Sequence, residues 1–158
     1  MLEPPLHAPV DGRQSETALA VARGARRLLR SLGYSTLTEL TLASGRRADI
    51  IALRSDAEIH IVEIKSSVAD FRADTKWNEY RDFCDRFFFA VAQDFPHELI
   101  PAECGLIIAD AYGASLEREA PEHKLAPARR RAVILRFAQV AADRLHGLAD
   151  PEGALRNP

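Results

Sequence analysis

The sequence predicts an α/β domain, a mixed sheet with helices on its faces, and three observations carry that prediction. Residues 46–67 read as two β-branched apolar strands folded back on a short polar break. Residues 87–93 and 105–109 are short apolar runs bounded by turn residues, as buried strands are. Residues 15–32 and 127–146 instead repeat their apolar positions with the 3.6-residue period of a helix. A strand pair that is apolar on both faces belongs inside a sheet covered on both sides.

The elements follow in order. Residues 1–13 hold three prolines and little periodicity, which predicts a flexible N-terminus. Ser15 can cap a helix to about Leu32 whose apolar stripe is Ala18, Val21, Ala22, Ala25, Leu28, Leu29 and Leu32, and Gly33 then ends it. Arg23, Arg27 and Arg30 take the opposite face. Residues 35–42 alternate as a first strand, and the turn Ala43-Ser44-Gly45 leads into the hairpin. After it, Ser67 followed by Asp70 is a capping signal, and Asp74-Thr75 is a second one. Residues 68–85 are therefore one helix or two short pieces, with Ala73, Trp77, Tyr80 and Cys84 on one face. The strand at 87–93, a helical turn at 97–101 and the strand at 105–109 come next, and 112–126 is a strand or loop at the sheet edge. Pro127 can open the last helix, and 147–158 reads as a flexible tail. Residues 14–146 then form a single domain around a sheet of about five strands.

Composition narrows the function classes. The 158 residues are 47% hydrophobic and 28% charged, ordinary for a globular domain. Cys84 and Cys104 lack CxxC spacing, and the five histidines form no HExxH, so neither a disulfide scaffold nor a zinc site is expected. No apolar run approaches the roughly 20 residues of a membrane span, and the first residues lack the pattern of a signal peptide, which suggests a cytoplasmic protein. The net charge of −2 is unevenly spread: residues 13–54 carry +5, residues 55–123 carry −9 and residues 124–158 carry +4. Basic flanks around an acidic middle can embrace a polyanion at a metal site, although solvated helix faces give the same pattern.

The chemistry concentrates in the hairpin. If it turns about Asp56, Asp49 faces Glu63, Arg47 faces Lys65, Ile51 faces Ile61 and Leu53 faces Ile59. Ala48, Ile50 and Ala52, with Ile64, Val62 and His60 opposite them, then occupy the other face. Two carboxylates about 4 Å apart repel by about 4 kcal/mol at a surface-like dielectric. They need a cation, either Lys65 or a hard divalent ion such as Mg2+ or Mn2+ that prefers oxygen ligands. A lysine beside such an ion can orient water or stabilise charge on a phosphate. An acid-x-lysine alone is more often an exposed ion pair.

Asp49 followed by Glu63-Ile64-Lys65 on the next strand resembles the PD-(D/E)XK signature of restriction-endonuclease-like nucleases. The stretches GRRADIIAL, HIVEIKSS, DFRADTKWNEYRDFCDRFFFAVAQDFP and GLIIADAYGA look like the MmcB family of mitomycin-C-inducible DNA repair proteins, a likeness that covers residues 13–146. Ala48 stands where the superfamily pattern has proline. The resemblance implies a restriction-endonuclease-like core, DNA as the partner and Mg2+ or Mn2+ as the cofactor. It implies metal ligands Asp49, Glu63 and the Ile64 main-chain carbonyl, with Lys65 completing the catalytic set; many relatives in the fold cut as homodimers. Glu16 is a further candidate ligand by analogy with resolvase-like relatives, or simply a favourable charge at a helix N-terminus. Glu39 is another candidate metal ligand if it points toward Asp49, and has no site role if it points toward solvent. Candidate DNA contacts are Ser67 (equally a cap), Lys76, Trp77 and Tyr80 (the aromatics equally helix-to-sheet packing), and Arg129, Arg130 and Arg131, whose place in a helix's first turn opposes its dipole. The alternative is a catalytically inactive nuclease fold that binds DNA or recruits a partner.

Overall fold

The computed structural model describes residues 15–153; the expected flexible N-terminus and the end of the expected tail lie outside them. Six strands form one mixed sheet in the order β1-β2-β3-β4-β5-β6. They are β1 (Ser35–Thr41), β2 (Arg47–Leu53), β3 (Ile59–Ile64), β4 (Arg86–Val91), β5 (Gly105–Ala109) and β6 (Ala114–Arg118). The pairs β1/β2, β2/β3 and β5/β6 are antiparallel, and β3/β4 and β4/β5 are parallel. The count is six rather than about five because β6 closes the far edge. Its alternating, half-exposed residues carry no apolar run to announce it.

Helix α1 (Glu16–Ser31) covers one face through Val21, Ala25 and Leu29, which pack with Ile50, Ala52, Val62, Phe88 and Ile107. Ser15 caps it by accepting the Ala18 N–H, and Gly33 leaves it at φ +89°, a conformation that costs glycine little. Leu32, expected in the buried stripe, is 48% exposed because the chain has already turned away. The other face is covered by α2 (Val68–Ala73), a 3-10 turn at Trp77–Phe83 and α3 (Pro127–Ala149). Helix α3 runs three residues past the expected end at His146.

Residues 68–85 are two pieces, and the second is 3-10 rather than α. With three residues per turn, Trp77 and Tyr80 stand one above the other. Both stack on Phe87, at centroid distances of 5.7 and 6.0 Å. Lys76, in contrast, is exposed just before that turn.

The hairpin register is the expected one, with Ile50, Ile51, Ala52 and Leu53 opposite Val62, Ile61, His60 and Ile59. One expectation is corrected: Ala48 does not share a face with Ile50. Glu39 takes φ +55°, and the β1/β2 ladder is interrupted at Glu39 and Asp49. The pleat changes sides there, so Leu40, Leu42 and Ala48 join the cluster that contains Ile51, Ile61 and Phe89. Asp49 sits where the alternation breaks.

Candidate functional site

At its open end the hairpin is held by side chains in place of ladder bonds. The Asp49 N–H donates to Glu63 Oε1 at 3.0 Å, and the Ile64 N–H donates to Asp49 Oδ2 at 2.8 Å. Glu63 is 5% exposed and Lys65 6%. Burial pushes the Asp49 carboxyl above its usual range, against the pull of the Ile64 N–H. Burial, and then the charge of Asp49, pushes Glu63 well above its own. Each group is thus short of positive charge.

Lys65 lies beside the pair but is bound elsewhere. Its main-chain N–H donates to the Ala90 carbonyl, carrying the strand direction on beside β4. Its Nζ is 2.9 Å from Asp74 Oδ2, in the link between α2 and the 3-10 turn. Burial opposes ionisation of Asp74, yet the bonds from Lys65 and from the Lys76 N–H hold its carboxyl below the usual range. Sequence reasoning read Asp74 only as a cap. Its partner is nine positions back across a helix, a spacing that carries no periodic signal.

The other candidates are placed as follows. Tyr80 is 5% exposed, donates its hydroxyl to the Arg47 carbonyl at 2.9 Å, and is pushed up in pKa by burial and by the charge of Glu63. It therefore braces β2 two residues before Asp49. Trp77 packs on Phe87 and Phe89, under the Arg81 guanidinium. Ser67 caps α2 by accepting the Asp70 N–H. Glu39 pairs with Arg47 at 2.5 Å, and its charge adds to the upward push on Asp49. Glu16 is exposed in the first turn of α1, in the opposite layer.

The arginine cluster divides. Arg130 grips Asp85 with two bonds of 2.6 Å and also donates to the Ala57 carbonyl, so it ties α3 to the sheet. Arg129 lies over the Phe83 ring at 4.7 Å, and Arg131 is exposed. Asp85, 2% exposed, also accepts the N–H groups of Ile59 and Leu125. It is the second residue that sequence reasoning missed, because its four donors come from three separate stretches of chain. Hollows of about 540 and 570 Å3 flank α3, and neither is lined by Asp49, Glu63 or Lys65.

Among the described residues no group of three or more His, Cys, Asp or Glu side chains converges. A cation at this site therefore has two carboxylates and main-chain oxygen to draw on. That donor set is hard, buried and short of positive charge, which fits Mg2+ or Mn2+ better than a softer ion. Among the described residues no helix is long and apolar enough to cross a membrane.

A solved structure described as SPO1766, a protein of unknown function from Silicibacter pomeroyi, is 49% identical to this chain. It superposes with a TM-score of 0.87 over 92% of this chain and 99% of its own. No match is found among curated proteins. The family model described as DNA repair protein MmcB-like matches residues 6–152, and so takes in every element from α1 to α3. The chain belongs to the MmcB-like family of DNA repair proteins.

Proposed function

We propose that this protein is a Mg2+- or Mn2+-dependent DNA-processing nuclease of the restriction-endonuclease-like type, with Asp49, Glu63 and Lys65 as its catalytic residues. One observation carries the reading. Half-buried Asp49 and buried Glu63, on adjacent strands, are each hydrogen-bonded to the main chain of the other's strand with both carboxyls pushed up, beside a buried lysine. A protein gains no stability from such a pair, so function is the better account of it. The order of one covering helix, three antiparallel strands and two parallel strands agrees with that fold.

Asp49, Glu63 and the Ile64 carbonyl would hold the ion, which when bound polarises a phosphodiester and makes water a better nucleophile. Lys65 brings an ammonium to the charge that develops on phosphate. Asp74 holds that ammonium in a buried ion pair at 2.9 Å. Tyr80 fixes the Arg47 carbonyl, two residues before Asp49. Incubation with single-stranded, duplex, flapped and branched DNA, with Mg2+ or Mn2+ and then EDTA, tests the reading. Metal-dependent cleavage that Glu63→Ala abolishes without loss of DNA affinity is the expected result. Cleavage unaffected by Glu63→Ala, or none in any metal, would sink it.

A second reading has its own support, in the pairing of Lys65 with Asp74 and the low exposure of Glu63. A fold that binds DNA or recruits a partner without turnover can keep its lysine neutralised. It predicts salt-sensitive DNA binding with no metal-dependent cleavage to lose.

A further inference from the structure

Tyr112 is 83% exposed, yet the turn that carries it is firmly held. Asp110 Oδ1 accepts the N–H groups of Tyr112 and Gly113 at 2.8 and 3.0 Å, and the Asp110 N–H donates to the Gly113 carbonyl at 3.0 Å. Arg27 of α1 donates to the Tyr112 carbonyl at 2.9 Å. Gly24 of α1 lies so close beneath that an added Cβ would stand 2.1 Å from the Asp110 carbonyl oxygen. The aromatic ring is thus mounted on fixed backbone while its own surface faces water. With the backbone already fixed, only the side-chain freedom of the ring remains to be lost when something stacks on it.

Its place matters. Strands β3, β4 and β5 run parallel, so the turn after β5 leaves the sheet at the end where Ile64 and Lys65 leave it. Two strand spacings, about 10 Å, separate β5 from β3. Arg23 and Arg27, four apart on α1, lie one turn from each other on the same side, and both are exposed. The carboxylate of the turn itself, Asp110, is held on the two main-chain N–H groups. A flat π-face beside the Arg27 guanidinium, with exposed Arg23 one helical turn along, suits a base with its phosphates.

We propose that Tyr112, with Arg23 and Arg27, is a stacking platform for an unpaired nucleotide, and that the DNA handled by this protein carries a single-stranded stretch across this end of the sheet. The inference rests on the reading of Asp49 and Glu63 as a DNA-processing site and names the class of DNA they would meet.

The test is fluorescence anisotropy of the full chain with a labelled oligothymidylate of about 20 nucleotides, longer than a typical single-strand site, and with a hairpin duplex as control. EDTA is present throughout, so cleavage plays no part. Tyr112→Ala should weaken oligothymidylate binding by about five-fold to a hundred-fold, the range found for one base–aromatic stack. Duplex binding should stay unchanged, and Tyr112→Trp should keep single-strand affinity. Arg23→Ala should lower the dependence on log salt by about 0.7. Equal affinities for wild type and Tyr112→Ala, an equal loss on both DNAs, or no single-strand binding by the wild type would each overturn the platform. Tyr112-dependent binding without metal-dependent cleavage would remove the nuclease reading alone. Glu63-dependent cleavage with Tyr112→Ala binding like wild type would remove the platform alone.

Discussion

Asp49 and Glu63 each bond to the main chain of the other's strand: the Asp49 N–H donates to Glu63 Oε1, and Asp49 Oδ2 accepts the N–H of Ile64, the residue after Glu63. Two acids that repel as charges therefore join the strands as hydrogen-bond acceptors. The arrangement holds most easily when the pair keeps a proton or meets a cation.

Glu63→Gln should accordingly stabilise the metal-free protein. With both carboxyls pushed up by burial, the folded chain binds more protons than the unfolded one above the ordinary carboxylate pKa. The pair's contribution to stability is then full below about pH 4 and falls as pH rises toward the folded values. Glutamine removes one of the two charges, so melting at pH 7.5 should rise and its decline with pH should flatten. A gain of about 1 kcal/mol corresponds to roughly 2–4 °C for a domain of this size. Mn2+ should raise the melting temperature of the wild type and not of Glu63→Gln. A variant that melts below wild type with the same pH slope would contradict the charge deficit.

Asp74→Asn should do the opposite. It leaves the buried Lys65 ammonium without its counter-charge, a change that costs about 3–5 kcal/mol for a buried pair. The carboxyl is held below its usual range, so the contribution is complete above about pH 4 and is lost as pH falls through the folded value. The double variant Asp74→Asn with Lys65→Met should recover part of the loss, because the unpaired ammonium is gone while Asp49 and Glu63 lose its attraction. Urea titration of the two single variants and the double variant at pH 7 measures the coupling; additive losses would show the pair to be incidental.

What could be read from the sequence divides along physical lines. The hairpin register, and with it the meeting of Asp49 with Glu63, followed from period-two alternation about Asp56, since a slip by one residue would turn every apolar side chain to the wrong face. The bounds of α1 followed from Ser15 and Gly33. Strand β6 was hard to see because an edge strand need not be apolar. The change of face at Ala48 depends on a left-handed Glu39, which no local pattern announces. Asp74 and Asp85 were missed as partners of Lys65 and Arg130 because charge pairing over distance leaves no periodicity.

The three neighbouring arginines of α3 should separate in two assays. Arg130→Ala strands the buried Asp85 carboxylate, at a cost of about 3–5 kcal/mol. Arg129→Ala and Arg131→Ala should change stability by about 0.5 kcal/mol or less, as exposed substitutions do. If either meets phosphate, its loss lowers the salt dependence of duplex binding by about 0.9 per contact. Denaturant midpoints and a salt series on the same preparations decide it. An Arg130→Ala variant as stable as wild type would show the Asp85 fork to be dispensable.

Gly24→Ala sets helix propensity against contact. Alanine is better than glycine inside a helix by about 1 kcal/mol. Here the new Cβ would stand 2.1 Å from the Asp110 carbonyl oxygen and 2.3 Å from that of Gly113, both main-chain atoms that cannot swing aside. Helix α1 must then lift away from the β5–β6 turn, stretching the Arg27 bond to Tyr112. Contact wins, because overpacking of this kind costs about 1–3 kcal/mol and the strain falls on backbone. The midpoint of urea unfolding should drop, and the amides of Tyr112 and Gly113, bonded to Asp110, should exchange faster with solvent. Ala22→Gly, a half-buried position on the same helix, serves as the control for propensity. It should lower stability and leave the turn amides as protected as in the wild type.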